Sequence, residues 1–155
     1  MDTTNKSYID PLLSEYKECN SKDILDFSAG NGVFLEIMRY YGHNIQGTDI
    51  PSCRYIPFHK SQDIPMVYFD ASNLPYPFAD KSFDLVSCIS SIVYYKVDWN
   101  LALDEFFRIA RETVLIVVNH GDIWNSKRHF IDNYIPPDGW ELSYQVRSTF
   151  KWELR

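Results

Sequence analysis

A run of apolar residues that meets an acid, passes through a turn of small residues and opens into a helical pattern constrains this chain more than any other segment. It reads Asp23-Ile24-Leu25-Asp26-Phe27-Ser28-Ala29-Gly30-Asn31-Gly32-Val33. Lacking Cβ atoms, Gly30 and Gly32 let the backbone turn sharply and approach a ligand closely, and the amides at the start of the following helix favour an anionic group such as a carboxylate. Two phosphate-binding patterns are excluded here. A dinucleotide fingerprint needs a third glycine where this chain has Leu35, and a P-loop needs a Lys-Ser or Lys-Thr pair after the glycines, which the segment lacks.

Two further strand ends follow at suitable distances. Asn44-Ile45-Gln46-Gly47-Thr48-Asp49-Ile50 reads as a second strand ending in an acid, and Asp49 lies 23 residues after Asp26, near the ~20-residue offset of a ribose-binding carboxylate. A carboxylate accepts two hydrogen bonds at once, which matches adjacent 2′ and 3′ hydroxyls. A third strand, about Met66 to Asp70, also ends in an acid. In the stretch after it, Pro75 and Pro77 prevent a regular helix, so an extended loop leads into the fourth strand.

The segment Asp26-Phe27-Ser28-Ala29-Gly30-Asn31-Gly32 resembles the first motif of class I methyltransferases that use S-adenosylmethionine, an acid and any residue followed by G-x-G-x-G. Ser28 replaces the first glycine and fits there if its dihedrals are ordinary. Asp70-Ala71, Leu74-Pro75, Pro77 and Ser82-Phe83-Asp84-Leu85-Val86 stand in the order and spacing of the corresponding stretch of many small methyltransferases. The resemblance implies S-adenosylmethionine as cofactor. It implies as cofactor-binding Asp26, Ser28, Ala29, Gly30 and Gly32 at the first turn, Asp49 at the ribose with Ile50 next to it, Asp70 facing the adenine exocyclic amine with Ala71 beside it, and Ile89 after strand four.

Along the rest of the chain, Tyr8, Ile9, Leu12, Leu13 and Tyr16 recur at helical spacing, giving an N-terminal helix within residues 1–22. Val33, Phe34, Ile37, Met38 and Tyr41 form one apolar stripe closed by Gly42 in a left-handed cap. Pro51 and Pro57 leave the next connection irregular or a single helical turn. Strand four spans about Asp84 to Ser90, Asp98 caps a helix burying Trp99, Leu103, Phe106, Phe107 and Ala110, and strand five, Thr113 to Asn119, is nearly all apolar. Asp122 caps a last helix, after which Trp140, Leu142, Tyr144 and Val146, then Phe150, Trp152 and Leu154, alternate as a hairpin. The expected fold is α/β: a doubly wound, mostly parallel seven-stranded sheet with helices on both faces and a C-terminal antiparallel β-hairpin. Residues 1–155 are read as one domain, with the core at 23–155.

Composition narrows the function classes. The net charge of −6 opposes binding nucleic acid through phosphate neutralisation, and Lys127, Arg128 and His129 read as a solvated face. Cys19, Cys53 and Cys88 lack a C-x-x-C spacing and His43, His59, His120 and His129 form no ligand pattern, so reduced thiols, a cytoplasmic setting and no metal are expected. The longest aliphatic run, Val114 to Val118, cannot span a bilayer.

An acceptor site belongs at the carboxyl ends of strands four and five. Tyr94 and Tyr95 after strand four, and Asn119, His120 and Asp122 after strand five, are the candidates. His120 is the base of choice, since an unperturbed imidazole titrates near pH ~6.5, with Tyr94 as the second catalytic candidate. Lid material is scant, so the site should be open to a small molecule or a glycan-type acceptor, or closed by a partner subunit or second copy. Two other classes compete: a non-catalytic S-adenosylmethionine-binding subunit, and a nicotinamide-dependent oxidoreductase, which Leu35 opposes.

Overall fold

Leu25 and Phe27 point to one side of the first strand and Ile24 and Asp26 to the other, and all four are buried. Only a strand covered on both faces has that pattern. The computed structural model describes residues 13–118, 131–146 and 149–155. Its strands are β1 (Asp23–Phe27), β2 (Asn44–Asp49), β3 (Met66–Tyr68), β4 (Phe83–Ile89), β5 (Ala110–Val117), β6 (Trp140–Val146) and β7 (Thr149–Leu154). They form one seven-stranded sheet of order β3-β2-β1-β4-β5-β7-β6. The first five are parallel, with Asp26 opposite Gly47 on one flank and Ser87 on the other, while β7 runs antiparallel between β5 and β6.

Alternation along the strands splits the core in two. Leu25, Phe27, Val86, Val114 and Ile116 pack with Leu103, Phe106 and Phe107 of a helix at Trp99–Ile109 and with Trp140, Phe150 and Trp152 of the hairpin. On the other face Ile24, Leu85, Leu115 and Val117 meet Leu13 and Tyr16 of a helix at residues 13–18, and Phe34, Leu35 and Met38 of the helix at Val33–Tyr40. In chain order these helices are α1 (13–18), α2 (Val33–Tyr40), α3 (Ile56–Ser61) and α4 (Trp99–Ile109). Helices thus cover both faces, as the doubly wound expectation requires. Expected residues 1–12 of the first helix, the Asp122-capped helix up to residue 130 and the hairpin tip at 147–148 lie outside the described residues, while Ile131 and Asp132 are helical.

Several boundaries move for physical reasons. Strand β3 stops at Tyr68, because Asp70 turns back on itself: its Oδ1 accepts the Ser72 N–H at 2.8 Å and its carbonyl the Asn73 N–H at 3.0 Å. Strand β5 starts at Ala110, directly after α4, where Lys81 Nζ donates to the carbonyls of Phe107 and Ala110 at 3.0 Å each. Gly42 takes the left-handed conformation expected of a cap, φ 93°, and Asp98 accepts the Asn100 N–H at 2.9 Å. Asp84 sits at the amino end of β4 and binds the Asp23 N–H and the Arg111 guanidinium at 2.8 and 2.9 Å. It therefore ties strand starts together, far along the strands from their carboxyl tips.

Leu35 shows how the sheet does without a third glycine. It is fully buried, and a Cβ placed on Gly47 of β2 would lie 2.8 Å from its Cδ1 and closer still to Met66 Sδ. The missing bulk has moved from helix to strand. Gly47→Ala should therefore overpack this notch and lower the unfolding free energy by about 1–3 kcal/mol, seen as a lower urea midpoint at unchanged slope; an unchanged midpoint would show that Leu35 and Met66 yield freely.

Candidate functional site

The strand order reverses between β1 and β4, so the crevice beyond their carboxyl ends is where an open parallel sheet receives a ligand. Three left-handed residues shape the chain there: Ser28 at φ 54°, Gly30 at φ 58° and Gly32 at φ 79°. The turn is fastened to β2. Ala29 N–H donates to Thr48 O at 2.8 Å, Ser28 N–H to Thr48 Oγ1 at 3.1 Å, and Gly30 N–H to Asp49 Oδ2 at 2.9 Å. A Cβ on Gly30 would meet nothing within 4 Å, whereas one on Gly32 would lie 2.7 Å from Ile64 Cδ1. Gly30 borders open space, and Gly32 allows close packing.

Ser28 departs from expectation, because its dihedrals are not ordinary. A left-handed side-chain-bearing residue costs roughly 1–2 kcal/mol, and its neighbours must hold it.

His59, which no sequence pattern singled out, braces the same turn. Buried on α3, it places Nε2 2.6 Å from the Gly30 carbonyl and Nδ1 2.9 Å from the Tyr68 hydroxyl. A carbonyl only accepts, so Nε2 carries the proton and, in the neutral ring, Nδ1 accepts from Tyr68. The connection expected to be irregular or a single helical turn is the short helix α3, with Pro57 in its first turn, where a missing N–H costs no helical bond.

The β2 and β3 tips stand beside it. Asp49 also accepts the Ile50 N–H at 2.8 Å, and Ile50 leaves an exposed apolar side chain next to that carboxylate. Phe69 N–H donates to Asp49 O at 2.9 Å, which places Asp70 and Ala71 immediately past the paired ends of β2 and β3. Asp70 is exposed. Ala71 is buried in the core and its carbonyl accepts from the Tyr76 hydroxyl at 2.9 Å, so its backbone N–H rather than its methyl is what it can present.

Asp26 lies beneath the turn, 3 % exposed, accepting from Ser87 Oγ at 2.6 Å. Burial pushes its carboxyl up to about 7 and the nearby Asp49 charge adds to that, while the Ser87 bond works the other way. A buried carboxyl under such strain is stabilised by an incoming cation.

At the β4 tip, Ile89 packs against the α2-side core and Ser90 is left-handed, φ 65°, with its N–H on Val117 O at 2.7 Å. Tyr94 ends a 3-10 turn, Ile92–Tyr94, and is 68 % exposed, so it stands at the rim. Tyr95 is half-buried, with its hydroxyl 2.7 Å from Ser28 Oγ. His120, with Asn119 and Asp122, lies outside the described residues. Among the described residues no cluster of three or more His, Cys, Asp or Glu side chains could hold a metal ion.

The arrangement fits a ligand with an adenosine and a charged amino-acid end: open space at Gly30, a carboxylate at β2, an exposed apolar side chain beside it and a buried acid below. Residues 25–118 match the model of a family described as a methyltransferase domain. No curated protein matches the chain at a significant level. Among solved structures, a SAM-dependent methyltransferase from Aquifex aeolicus superposes with TM-score 0.68 at 13 % identity, over 98 % of this chain and 92 % of that one. Magnesium protoporphyrin IX methyltransferase (ChlM) from Synechocystis PCC 6803, with bound SAM, gives 0.67 at 12 % over 97 % and 80 %. The PH0226 protein from Pyrococcus horikoshii OT3 gives 0.64 at 18 % over 98 % and 90 %. At these identities the structures share the fold.

Asp26 sets a pH dependence. Because its folded-state value lies above the unfolded one, it stabilises the fold below about pH 4, and that contribution is lost as pH rises through about 7. In ligand-free protein, Asp26→Asn should gain on the wild type across that window by up to about 4 kcal/mol. Paired urea titrations from pH 4 to 8 measure it, and a flat difference would mean the carboxyl is not perturbed.

Proposed function

Because the chain belongs to the methyltransferase-domain family, we propose that it transfers a methyl group from S-adenosylmethionine to a small-molecule or glycan-type acceptor at the β1–β4 crevice. When bound, that cofactor supplies an electrophilic methyl on a positively charged sulfur. An acceptor lone pair forms the new bond to the methyl carbon, the S–CH₃ pair returns to sulfur, and S-adenosylhomocysteine is left. The chain's task is alignment and exclusion of water, which at its limit contributes about 7–11 kcal/mol.

In this reading Asp49 accepts from the ribose diol, with Ile50 against the base. Asp70 accepts from the adenine amine, beside the Ala71 amide. Asp26, under the turn of Ser28, Ala29, Gly30 and Gly32, balances the ammonium, and the amides of the first turn of α2 after Val33, whose own N–H donates to Asn31 Oδ1 at 3.2 Å, face the carboxylate. Ile89 flanks the cofactor from β4. Tyr94 reaches the acceptor from the rim, and His120 removes a proton where the acceptor is a hydroxyl, a step that contributes about 10²–10⁴-fold.

No helix among the described residues is long and apolar enough to cross a membrane, and free thiols at Cys19, Cys53 and Cys88 accord with a cytoplasmic setting. The observation that carries the reading is the convergence of one carboxylate, Asp49, and one imidazole, His59, on the backbone N–H and carbonyl of Gly30 at the edge of open space.

Asp49→Ala removes charge-assisted bonds to the ribose and should weaken S-adenosylhomocysteine binding by about 10- to 100-fold in calorimetry. Purified protein given methyl-labelled cofactor and an acceptor library should label a product. Binding without any labelled product would identify a cofactor-binding subunit instead, and thermal stabilisation by NADH but not by S-adenosylhomocysteine would identify a reductase.

A further inference from the structure

Ser28 has a carbon and a hydroxyl where a glycine would leave nothing, at the innermost step of the turn, and its backbone is left-handed. Its N–H is held on the β2 flank by Thr48 Oγ1 at 3.1 Å, and its carbonyl accepts from Ser91 Oγ at 3.4 Å on the β4 flank. Its hydroxyl is on the β4 flank as well. Oγ lies 2.7 Å from Tyr95 Oη, which in turn lies 3.5 Å from the buried Cys88 Sγ. The Tyr95 ring packs with the α4-side core, and its hydroxyl reaches Ser28 from the segment after β4, whereas Asp49 binds the turn from β2.

We propose that Tyr95 is a positioning residue: by binding Ser28 Oγ it keeps that hydroxyl out of the cofactor cradle and holds the turn in the shape a glycine would adopt unaided. This rests on the cofactor reading above. Burial holds the Tyr95 phenol protonated far above neutral pH, so the bond persists through the working range. Without the phenol oxygen, Ser28 Oγ either rotates toward the cradle in search of a partner or draws the backbone out of its left-handed conformation. Each outcome narrows the space beside Gly30. A glycine at position 28 has no hydroxyl to place and no left-handed penalty, so it makes the Tyr95 hydroxyl dispensable for binding.

Calorimetry with S-adenosylhomocysteine on the wild type, Y95F, S28G and the Y95F/S28G double variant tests this. Y95F should raise Kd about tenfold against the wild type, the loss of roughly one hydrogen bond, yet change it less than about twofold in the S28G background. S28A, which lacks the hydroxyl but keeps Cβ and its left-handed penalty, separates the two routes: binding as weak as that of Y95F means the released backbone closes the cradle, and wild-type binding means the misplaced hydroxyl does. S28G should bind at least as well as the wild type, and tenfold weaker binding by S28G would overturn the proposal even where Y95F does not fold. Equal weakening by Y95F in both backgrounds would make Tyr95 a packing residue only and overturn the proposal, as would no weakening in either. Absence of binding by the wild type would remove the cofactor reading and this inference together, whereas wild-type binding with additive variants removes this inference alone.

Discussion

One residue is gripped by its backbone on both sides. The Gly30 N–H is taken by Asp49 and the Gly30 carbonyl by His59, and these two side chains come from β2 and from α3, which the chain reaches only after β2. Tyr68, at the end of β3, then holds the other nitrogen of the imidazole. The turn after β1 is thus positioned by β2, α3 and β3, and its open space exists because none of the three fills it. Parallel pairing of β1, β2 and β3 brings these groups to one edge. Their approach is a result of register, since the partner residues are 19 and 29 positions away in sequence.

Three charged arrangements at the strand ends do different work. Asp49, half-buried, accepts from two backbone amides, and its oxygens have lone pairs left for further bonds. Asp26 is buried with a hydroxyl donor, and its carboxyl is pushed upward, the condition that makes a cation welcome. Asp84, at the opposite end of the strands, is engaged by Arg111 and the Asp23 amide. Arg108 extends the same structural logic to the proline-bearing loop: it donates to the carbonyls of Tyr76 and Phe78 at 3.1 and 2.7 Å while bound to Glu105 and Asp80. The motif run before β4 is therefore mostly architecture, and its acids do not share one role.

What the sequence reveals and what it withholds divide along the range of the interactions. The strands, the Asp98 cap, the Gly42 cap and the hairpin follow from local periodicity and local backbone preference, so they were legible. Gly30 and Asp49 stood out because one needs a special dihedral and the other a fixed offset. His59, Thr48 and Ser87 carried no such mark; each acts across the sheet or from a helix on another residue's backbone or carboxylate, and only register reveals that. The exchange of bulk between Leu35 and Gly47 escaped notice for the same reason, since the two residues belong to different elements. Nothing local to Ser28 marks its left-handed backbone, since its hydrogen-bond partners Thr48, Ser91 and Tyr95 lie 20, 63 and 67 residues away.

In the proposed function the ends of β1, β2 and β3 surround one adenosine-containing molecule. Hydrogen–deuterium exchange of the ligand-free and S-adenosylhomocysteine-saturated protein addresses it at the backbone amides themselves. Exchange should slow in peptides covering residues 28–32, 48–51 and 69–72 together. Slowing confined to the opposite end of the sheet, around the polar cavity of about 460 Å³ lined by Glu15, Lys22 and Glu112, or no slowing anywhere, would contradict it.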